Sequence, residues 1–145
     1  MALVLVAVLC TGLFAGAAIY ITLVEHPARL ACGTALAVIE FRPSYRRAAV
    51  MQGVLAAVGC AAALAGWAHS QAAPVLVAGI LLGAAIPFTL VVVRPTNARL
   101  MNPALDRDSD EAAALLARWG NLHAVRSVAS GAAFLLLTLH MAGTL

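Results

Sequence analysis

The sequence predicts an all-α integral membrane protein, a single domain built as a bundle of four transmembrane helices. Of its 145 residues, 63% are hydrophobic and only 10% are Asp, Glu, Lys or Arg, whereas about a quarter of the residues in a soluble domain are charged. Four apolar stretches are long enough to cross a bilayer, and the charged residues gather in the two long segments between them. These observations together exclude a water-soluble fold.

Each predicted span meets the length requirement of a membrane helix, which is roughly 20 apolar residues for about 30 Å of hydrocarbon. The spans are residues 3–24, 48–67, 74–93 and 124–142. A secretory signal peptide has basic residues ahead of its apolar run, but the first basic residue here, Arg29, follows that run. We therefore expect the first span to remain as a helix of the bundle.

The charge distribution predicts the orientation in the membrane. All nine Arg residues and all six acidic residues fall in, or next to, the predicted loops 25–47 and 94–123. Positively charged loops stay in the cytoplasm, so both long loops are predicted to be cytoplasmic and both termini to lie outside the cell membrane. The net charge of +3 is too small to indicate nucleic acid, and the predicted partner is the lipid bilayer. The sequence leaves open whether the chain forms a homo-oligomer.

The two loops are predicted to be partly helical. Ala28 to Phe41 is mostly apolar and lies between Pro27 and Pro43, as an interfacial helix would. In the second loop, acidic residues precede Ala112 to Trp119, and acids favour the N-terminal end of a helix. Helix four is therefore expected to begin near Asp110 and to extend into the cytoplasm.

Small residues spaced four apart predict close packing between the helices. These pairs are Gly12 with Gly16, Gly79 with Gly83, and Ser127 with Gly131. Pro87 is expected to kink helix three, because proline cannot donate the backbone hydrogen bond of its turn. Thr89 lies close enough in sequence to satisfy a freed backbone group.

Polar residues that no membrane helix needs collect at the cytoplasmic ends of the helices. They are Glu25, His26, Asn97, Trp119, His123 and Arg126. Spacings of four and three place the last three on one stripe of helix four. An arginine at the membrane boundary needs a partner, so Arg126 is expected to face the bundle, with Glu25 as a candidate partner. Helices one and four would then meet at a polar cup.

Each of these residues also has a structural interpretation. Trp119 suits the aromatic belt at the headgroups, His26 suits a helix end before proline, and Asn97 suits a turn cap. His123 shares its stripe with an arginine near the membrane boundary, which favours a functional role.

A metal site is a second interpretation of the cup. Glu25, His26 and His123 would supply one oxygen and two nitrogen ligands and leave positions open. The sequence contains no H-E-x-x-H, C-x-x-C, nucleotide-binding loop or G-x-S-x-G motif. Hydrolases and nucleotide-dependent enzymes of these classes are therefore not indicated.

Several motifs together resemble a known family. They are Val24-Glu25-His26-Pro27-Ala28-Arg29, Pro43-Ser44-Tyr45-Arg46-Arg47 with Met51-Gln52, Pro87-Phe88-Thr89-Leu90, Pro95-Thr96-Asn97 with Leu100, and Trp119 to Arg126. The chain resembles the anthrone oxygenase-like family of small integral membrane proteins over nearly its whole length. The resemblance implies a four-helix membrane fold, and its characterised relatives oxidise polyketide anthrones to anthraquinones with molecular oxygen.

The function expected from this resemblance is oxygenation of an apolar, phenol-like aromatic molecule, with molecular oxygen as the second substrate. His123 or His26 would act as the base, Arg126 and Asn97 would hold the oxyanion, and Trp119 would stack on the rings. The sequence requires no organic cofactor, and a metal at Glu25, His26 and His123 is a variant of the hypothesis.

The rival class is non-catalytic. A small-molecule transporter of the four-helix exporter type needs an acidic residue near mid-membrane, and none of the four spans has one. Transport therefore ranks second, and a structural subunit of a membrane assembly ranks third.

Overall fold

Four long helices make up the computed structural model, which describes residues 1–145. Helix α1 runs Ala2–Ala31, α2 runs Thr34–Ser70, α3 runs Ala73–Leu100 and α4 runs Asp110–Met141. Each helix is long and apolar enough to cross a membrane. The prediction of four helices long and apolar enough to cross a membrane is thus confirmed, and each predicted span lies within one of them apart from the last residue of the fourth, Ala142.

The helices run antiparallel in chain order around the bundle. Helices α1 and α3 each pack against α2 and α4, and few contacts cross the diagonals. The end where α1 and α3 finish and α2 and α4 begin carries every Asp and Glu and every Arg except Arg126, which lies near the middle of α4, and we call it the charged end. At the opposite end, α2 and α3 are joined by a tight turn in which Gln71 has a left-handed backbone, with φ of 55°.

The first connection differs from the predicted one. No separate helix spans Ala28 to Phe41, because α1 ends at Ala31 and α2 already begins at Thr34. The turn between them needs only Cys32 and Gly33, whose φ of +93° few residues other than glycine adopt readily. Pro43 lies inside α2 and does not end it. At 37 residues, α2 is about 55 Å long and exceeds the hydrocarbon thickness.

Two turns near the charged end widen from α-helix to π-helix. They are Ile21–Glu25 in α1 and Thr89–Val93 in α3, and each ends two residues before a proline, Pro27 or Pro95. A proline ring clashes with the carbonyl group four residues earlier, and a wider turn relieves that clash. The widened turn of α1 carries the polar residues Thr22 and Glu25, and that of α3 begins at Thr89.

The predicted irregularity at Pro87 is also present. The α-helical pattern of α3 is interrupted at Ala84, three residues before the proline. The Thr89 hydroxyl donates to the Ala85 carbonyl at 2.7 Å. Thr89 thus bonds within its own turn, as expected of a threonine in a membrane helix.

Helix α4 begins at Asp110, as the acidic residues predicted. Ser109 caps the helix, and its hydroxyl accepts the Ala112 N–H at 3.2 Å. Asp110 and Glu111 occupy the first turn, where the helix dipole favours negative charge. Arg42 of α2 donates to the carbonyls of Leu100 and Asn102 and so ties the preceding loop to the bundle.

Close helix packing uses some of the predicted glycines and not others. A Cβ atom at Gly83 would lie 2.6 Å from Cys60 Sγ, and one at Gly79 would lie 2.9 Å from the Ala63 Cβ. Helices α2 and α3 therefore approach closely along the Gly79 and Gly83 pair. At Gly16 a Cβ atom would meet nothing within 4 Å.

The outer surface of the bundle is apolar. Only 35 of the 145 residues are buried, and large side chains such as Leu13, Val91 and Val128 are mostly exposed. A surface of this kind needs an apolar solvent, so the bundle is suited to lipid.

Replacing Gly83 by leucine tests the close approach of α3 to α2. Overpacking at this contact should lower the free energy of unfolding in micelles by about 1–3 kcal/mol. Gly16→Leu is the matched control, because its side chain enters open space and should leave the free energy of unfolding unchanged. Equal stability of both variants, measured by denaturant titration, would show that α3 does not contact α2 at Gly83.

Candidate functional site

An internal cavity of about 220 Å³ lies among all four helices, toward the charged end. Its apolar wall includes Phe14 of α1, Ala56 of α2, and Ile86 and Leu90 of α3. Its polar wall consists of Glu25 and Arg29 of α1, Ser44, Tyr45 and Gln52 of α2, Thr89 of α3, and Trp119, His123 and Arg126 of α4. The cavity thus suits a mostly apolar molecule that carries a polar group at one side.

The predicted stripe of α4 forms one wall of this cavity. Trp119, His123 and Arg126 all line it, and Glu25 of α1 faces the same space. The rings of Trp119 and His123 stack, with their centroids 4.7 Å apart. Helices α1 and α4 therefore meet at a polar cup, as the spacing predicted.

Hydrogen bonds to α1 hold the His123 ring. Its Nδ1 lies 3.1 Å from the Thr22 hydroxyl, which lies 2.7 Å from the Ser127 hydroxyl. Ser127 in turn donates to the Ala18 carbonyl at 2.9 Å, with the His123 carbonyl at 3.3 Å. The widened turn of α1 carries Thr22.

This chain of bonds assigns the tautomer of His123. A carbonyl can only accept, so Ser127 spends its one hydroxyl hydrogen there and accepts from Thr22. Thr22 has then spent its own hydrogen and must accept the N–H of His123 Nδ1. A proton therefore sits on Nδ1. Burial of the ring, in a cavity that also holds the positive charge of Arg126, disfavours a second proton, so Nε2 keeps a free lone pair.

Arg126 pairs with an amide and not with the expected carboxylate. Its Nη2 donates to Gln52 Oε1 of α2 at 2.5 Å, and its guanidinium lies 5.4 Å from the Phe14 ring centroid. The prediction that Glu25 is its partner is wrong, because Glu25 bonds to Arg29 and to Ser44. Arg126 forms no salt bridge.

Arg29 is the second arginine of the cavity, and carboxylates surround it. Its side chain is only 5% exposed and forms salt bridges with Glu25 of its own helix and Glu40 of α2. The Ser44 hydroxyl donates to the same Glu25 oxygen at 2.7 Å. This network joins α1 to α2 at the charged end.

An aromatic cluster surrounds Trp119. The Phe41 ring meets Trp119 edge-on at 5.2 Å and stacks on Tyr45 at 5.5 Å. The Arg29 guanidinium lies 5.7 Å from the Trp119 centroid. Trp119 is 5% exposed, so it is a core residue at this position and not only a headgroup anchor.

His26 lies outside the cavity, on a groove shared with Gly120 and Asn121. Its ring packs at 5.1 Å against Trp119, and a Cβ atom at Gly120 would lie 2.7 Å from its Nε2. Glycine is thus required at 120 to admit the ring. His26 does not line the cavity, but His123 and Trp119 line both the cavity and this groove.

The remaining predicted residues are not gathered as expected. Asn97 is 3% exposed but does not line the cavity, so Asn97 and Arg126 do not face one oxyanion there. No three His, Cys, Asp or Glu side chains are grouped closely enough to hold a metal ion. Glu25, His26 and His123 therefore do not form the proposed ligand set, because Arg29 holds Glu25 and only the two histidines share the groove.

Sequence reasoning missed Gln52, Thr22 and Arg29 as parts of the site. Gln52 could have been found, since it is a buried amide inside an apolar span, and such residues in membrane helices usually face the interior. Thr22 gave no comparable signal, because threonine is common in membrane helices.

The comparison with protein families gives one match. A family model described as Anthrone oxygenase matches residues 41–136, which is more than half of the chain. The matched region contains Gln52, Trp119, His123 and Arg126. No curated protein and no solved structure matches the chain.

Replacing Arg29 by methionine tests the buried ion network. The change leaves the carboxylates of Glu25 and Glu40, which are 27% and 46% exposed, without their arginine partner. The free energy of unfolding should therefore fall by about 2–3 kcal/mol, which is less than the loss expected when a fully buried ion pair is broken. Arg99→Met is the control, because its salt bridge with Glu111 is exposed on both sides and should contribute less than about 1 kcal/mol. Similar losses in both variants, measured by denaturant titration in micelles, would contradict the structural role of Arg29.

Proposed function

Because the chain belongs to the anthrone oxygenase family, we propose that it is a membrane oxygenase that uses molecular oxygen to oxidise an apolar, phenol-like aromatic substrate of the anthrone kind. The substrate partitions into the bilayer and enters the cavity among the four helices. His123 is the general base, Arg126 holds the oxyanion, and Trp119 contributes a wall for the rings. The cytoplasmic orientation of the charged end stays a prediction.

The observation that carries this proposal is the state of His123. Its Nδ1 is committed to Thr22, and its Nε2 makes no hydrogen bond within the protein. His123 lines the cavity, and a neutral imidazole fixed in this tautomer keeps one lone pair free, as a general base needs. His26, the other candidate base, does not line the cavity.

The first step of the proposed reaction is proton removal. His123 Nε2 takes a proton from the ring carbon opposite the substrate carbonyl, and the electron pair of the broken C–H bond delocalises into the rings as an enolate. Arg126 lines the same cavity and stabilises the negative oxygen. The electrons of the enolate then reduce molecular oxygen, and a new C–O bond forms.

The remaining steps release water. The peroxide anion recovers the proton from His123 to give a hydroperoxide on the ring carbon. Loss of the second hydrogen from that carbon and cleavage of the O–O bond leave a carbonyl group and one water molecule. The substrate thus loses two hydrogens, and the two atoms of molecular oxygen end in the new carbonyl and in water.

The carboxylates of the bundle favour this proposal over transport. Glu25 is the one carboxylate that lines the cavity. Its carboxylate is already bonded to Arg29 and to Ser44. Exporters that bind cations need a carboxylate free to exchange its partner. The free groups of this cavity are a base and a cation, which suit deprotonation.

Replacing His123 by asparagine tests the base assignment. Oxygen uptake with an anthrone substrate should fall by about a hundredfold to ten-thousandfold, because the amide has no lone pair of comparable basicity. The thermal midpoint should stay close to that of the wild type, since the amide can still bond to Thr22. His69→Asn, an exposed histidine at the uncharged end, should leave oxygen uptake unchanged.

Either of two results would reject this assignment. Full turnover by His123→Asn would show that another group removes the proton. A large loss of thermal stability together with the loss of activity would show that His123 is a structural residue of the contact between α1 and α4.

A further inference from the structure

Two hydrogen-bond donors on side chains that line the cavity have no acceptor in the protein. They are Nε of Arg126 and Nε2 of Gln52, both buried and both unpaired. The bond from Arg126 Nη2 to Gln52 Oε1, at 2.5 Å, holds the two side chains together. Gln52 Oε1, the only acceptor atom of the two side chains, is therefore already used. Arg126 Nε and Gln52 Nε2 are left without an acceptor.

The positive charge of Arg126 is also uncompensated, in contrast to that of Arg29. Arg29 has two carboxylates, and the exposed Arg99 has Glu111. The remaining acidic residues, Asp106, Asp108 and Asp110, belong to the loop before α4 and its first turn. No acidic side chain of the chain is thus left for Arg126.

A cation with spare donors in an apolar cavity calls for an anionic acceptor. Hydrogen bonds between charged partners are stronger than neutral ones, and a buried charge is tolerated when it is paired. The surrounding walls, which include Phe14 and Trp119, are aromatic. The group that completes this site is therefore an anionic oxygen on an apolar body.

We propose that the cavity binds its aromatic ligand with a phenolic oxygen ionised, as a phenolate whose oxygen accepts from Arg126 Nε and Gln52 Nε2, so that Gln52 is a substrate-binding residue and the C–H bond that His123 breaks is still intact. This inference rests on the proposed oxygenase function for the aromatic body of the ligand. It adds the charge state of the ligand and the second donor. An anionic carboxylate from a fatty acid offers the same oxygen chemistry on a flexible chain.

Binding of 2-naphthol to the protein in micelles tests the proposal, because the absorbance spectrum of this probe separates phenol from phenolate. In anaerobic buffer, at a pH where the free probe is mostly neutral, wild-type protein should raise the phenolate fraction. The methyl ether of the probe cannot ionise and should bind at least tenfold more weakly. Without oxygen no turnover takes place, so the result is independent of the oxygenase reaction.

Variants of the two donors sharpen the test. Arg126→Met and Gln52→Leu should each weaken phenolate binding by about tenfold to a hundredfold, the factor expected for a hydrogen bond to a charged group. Gln52→Glu supplies a negative charge from the protein itself, so it should abolish phenolate binding while keeping the fold. Arg118→Met removes an exposed arginine of the same helix and should bind the probe like the wild type.

The outcomes separate this proposal from its alternatives. Equal affinity for the probe and its methyl ether, or full phenolate binding by Gln52→Glu, would overturn it. If laurate displaces the probe at a lower concentration than another naphthol does, the site binds a fatty-acid carboxylate. That result would overturn the proposal of an aromatic ligand. Phenolate binding without any oxygen uptake would reject the oxygenase proposal and leave the anion site intact.

Discussion

Two arginines inside the bundle, Arg29 and Arg126, hold the helices around the cavity through their bonding partners. The bundle itself is surrounded by lipid. Such a side chain must find its partners within the bundle, because the hydrocarbon offers none. Arg29 joins α1 to α2 through Glu40, and Arg126 joins α4 to α2 through Gln52. Helix α2 is therefore the common partner of both arginines, and its position sets the width of the cavity between them.

The prolines connect the sequence to this geometry. Pro27 and Pro95 each follow a π-helical turn, and the wider turn in α1 carries Thr22 and Glu25. Thr22 fixes the ring of His123, while Glu25 compensates Arg29. The widened turn of α1 therefore provides two side chains on which the site depends: Thr22, which orients His123, and Glu25, which neutralises Arg29.

The sequence predicted the parts of the molecule that depend on local patterns. The four spans, the start of α4 at Asp110 and the stripe of Trp119, His123 and Arg126 follow from hydropathy, capping and helical spacing. The partner of Arg126 could not be predicted in this way, because it depends on how far α2 is shifted and rotated relative to α4. The sequence does not predict the tight turn at Gly33, because a proline such as Pro43 usually marks a helix boundary, whereas this helix continues through it. The position of Asn97 away from the cavity likewise depends on the rotation of α3.

The hydrogen bonds and the burial of His123 together require a neutral ring with its proton on Nδ1. Nitrogen-15 spectra of the ring-labelled protein in micelles at neutral pH test it most directly, with the His123 signals assigned by their loss in His123→Asn. We expect a protonated, pyrrole-type signal for Nδ1 and an unprotonated, pyridine-type signal for Nε2. A protonated Nε2, in either the other tautomer or the imidazolium, would contradict it.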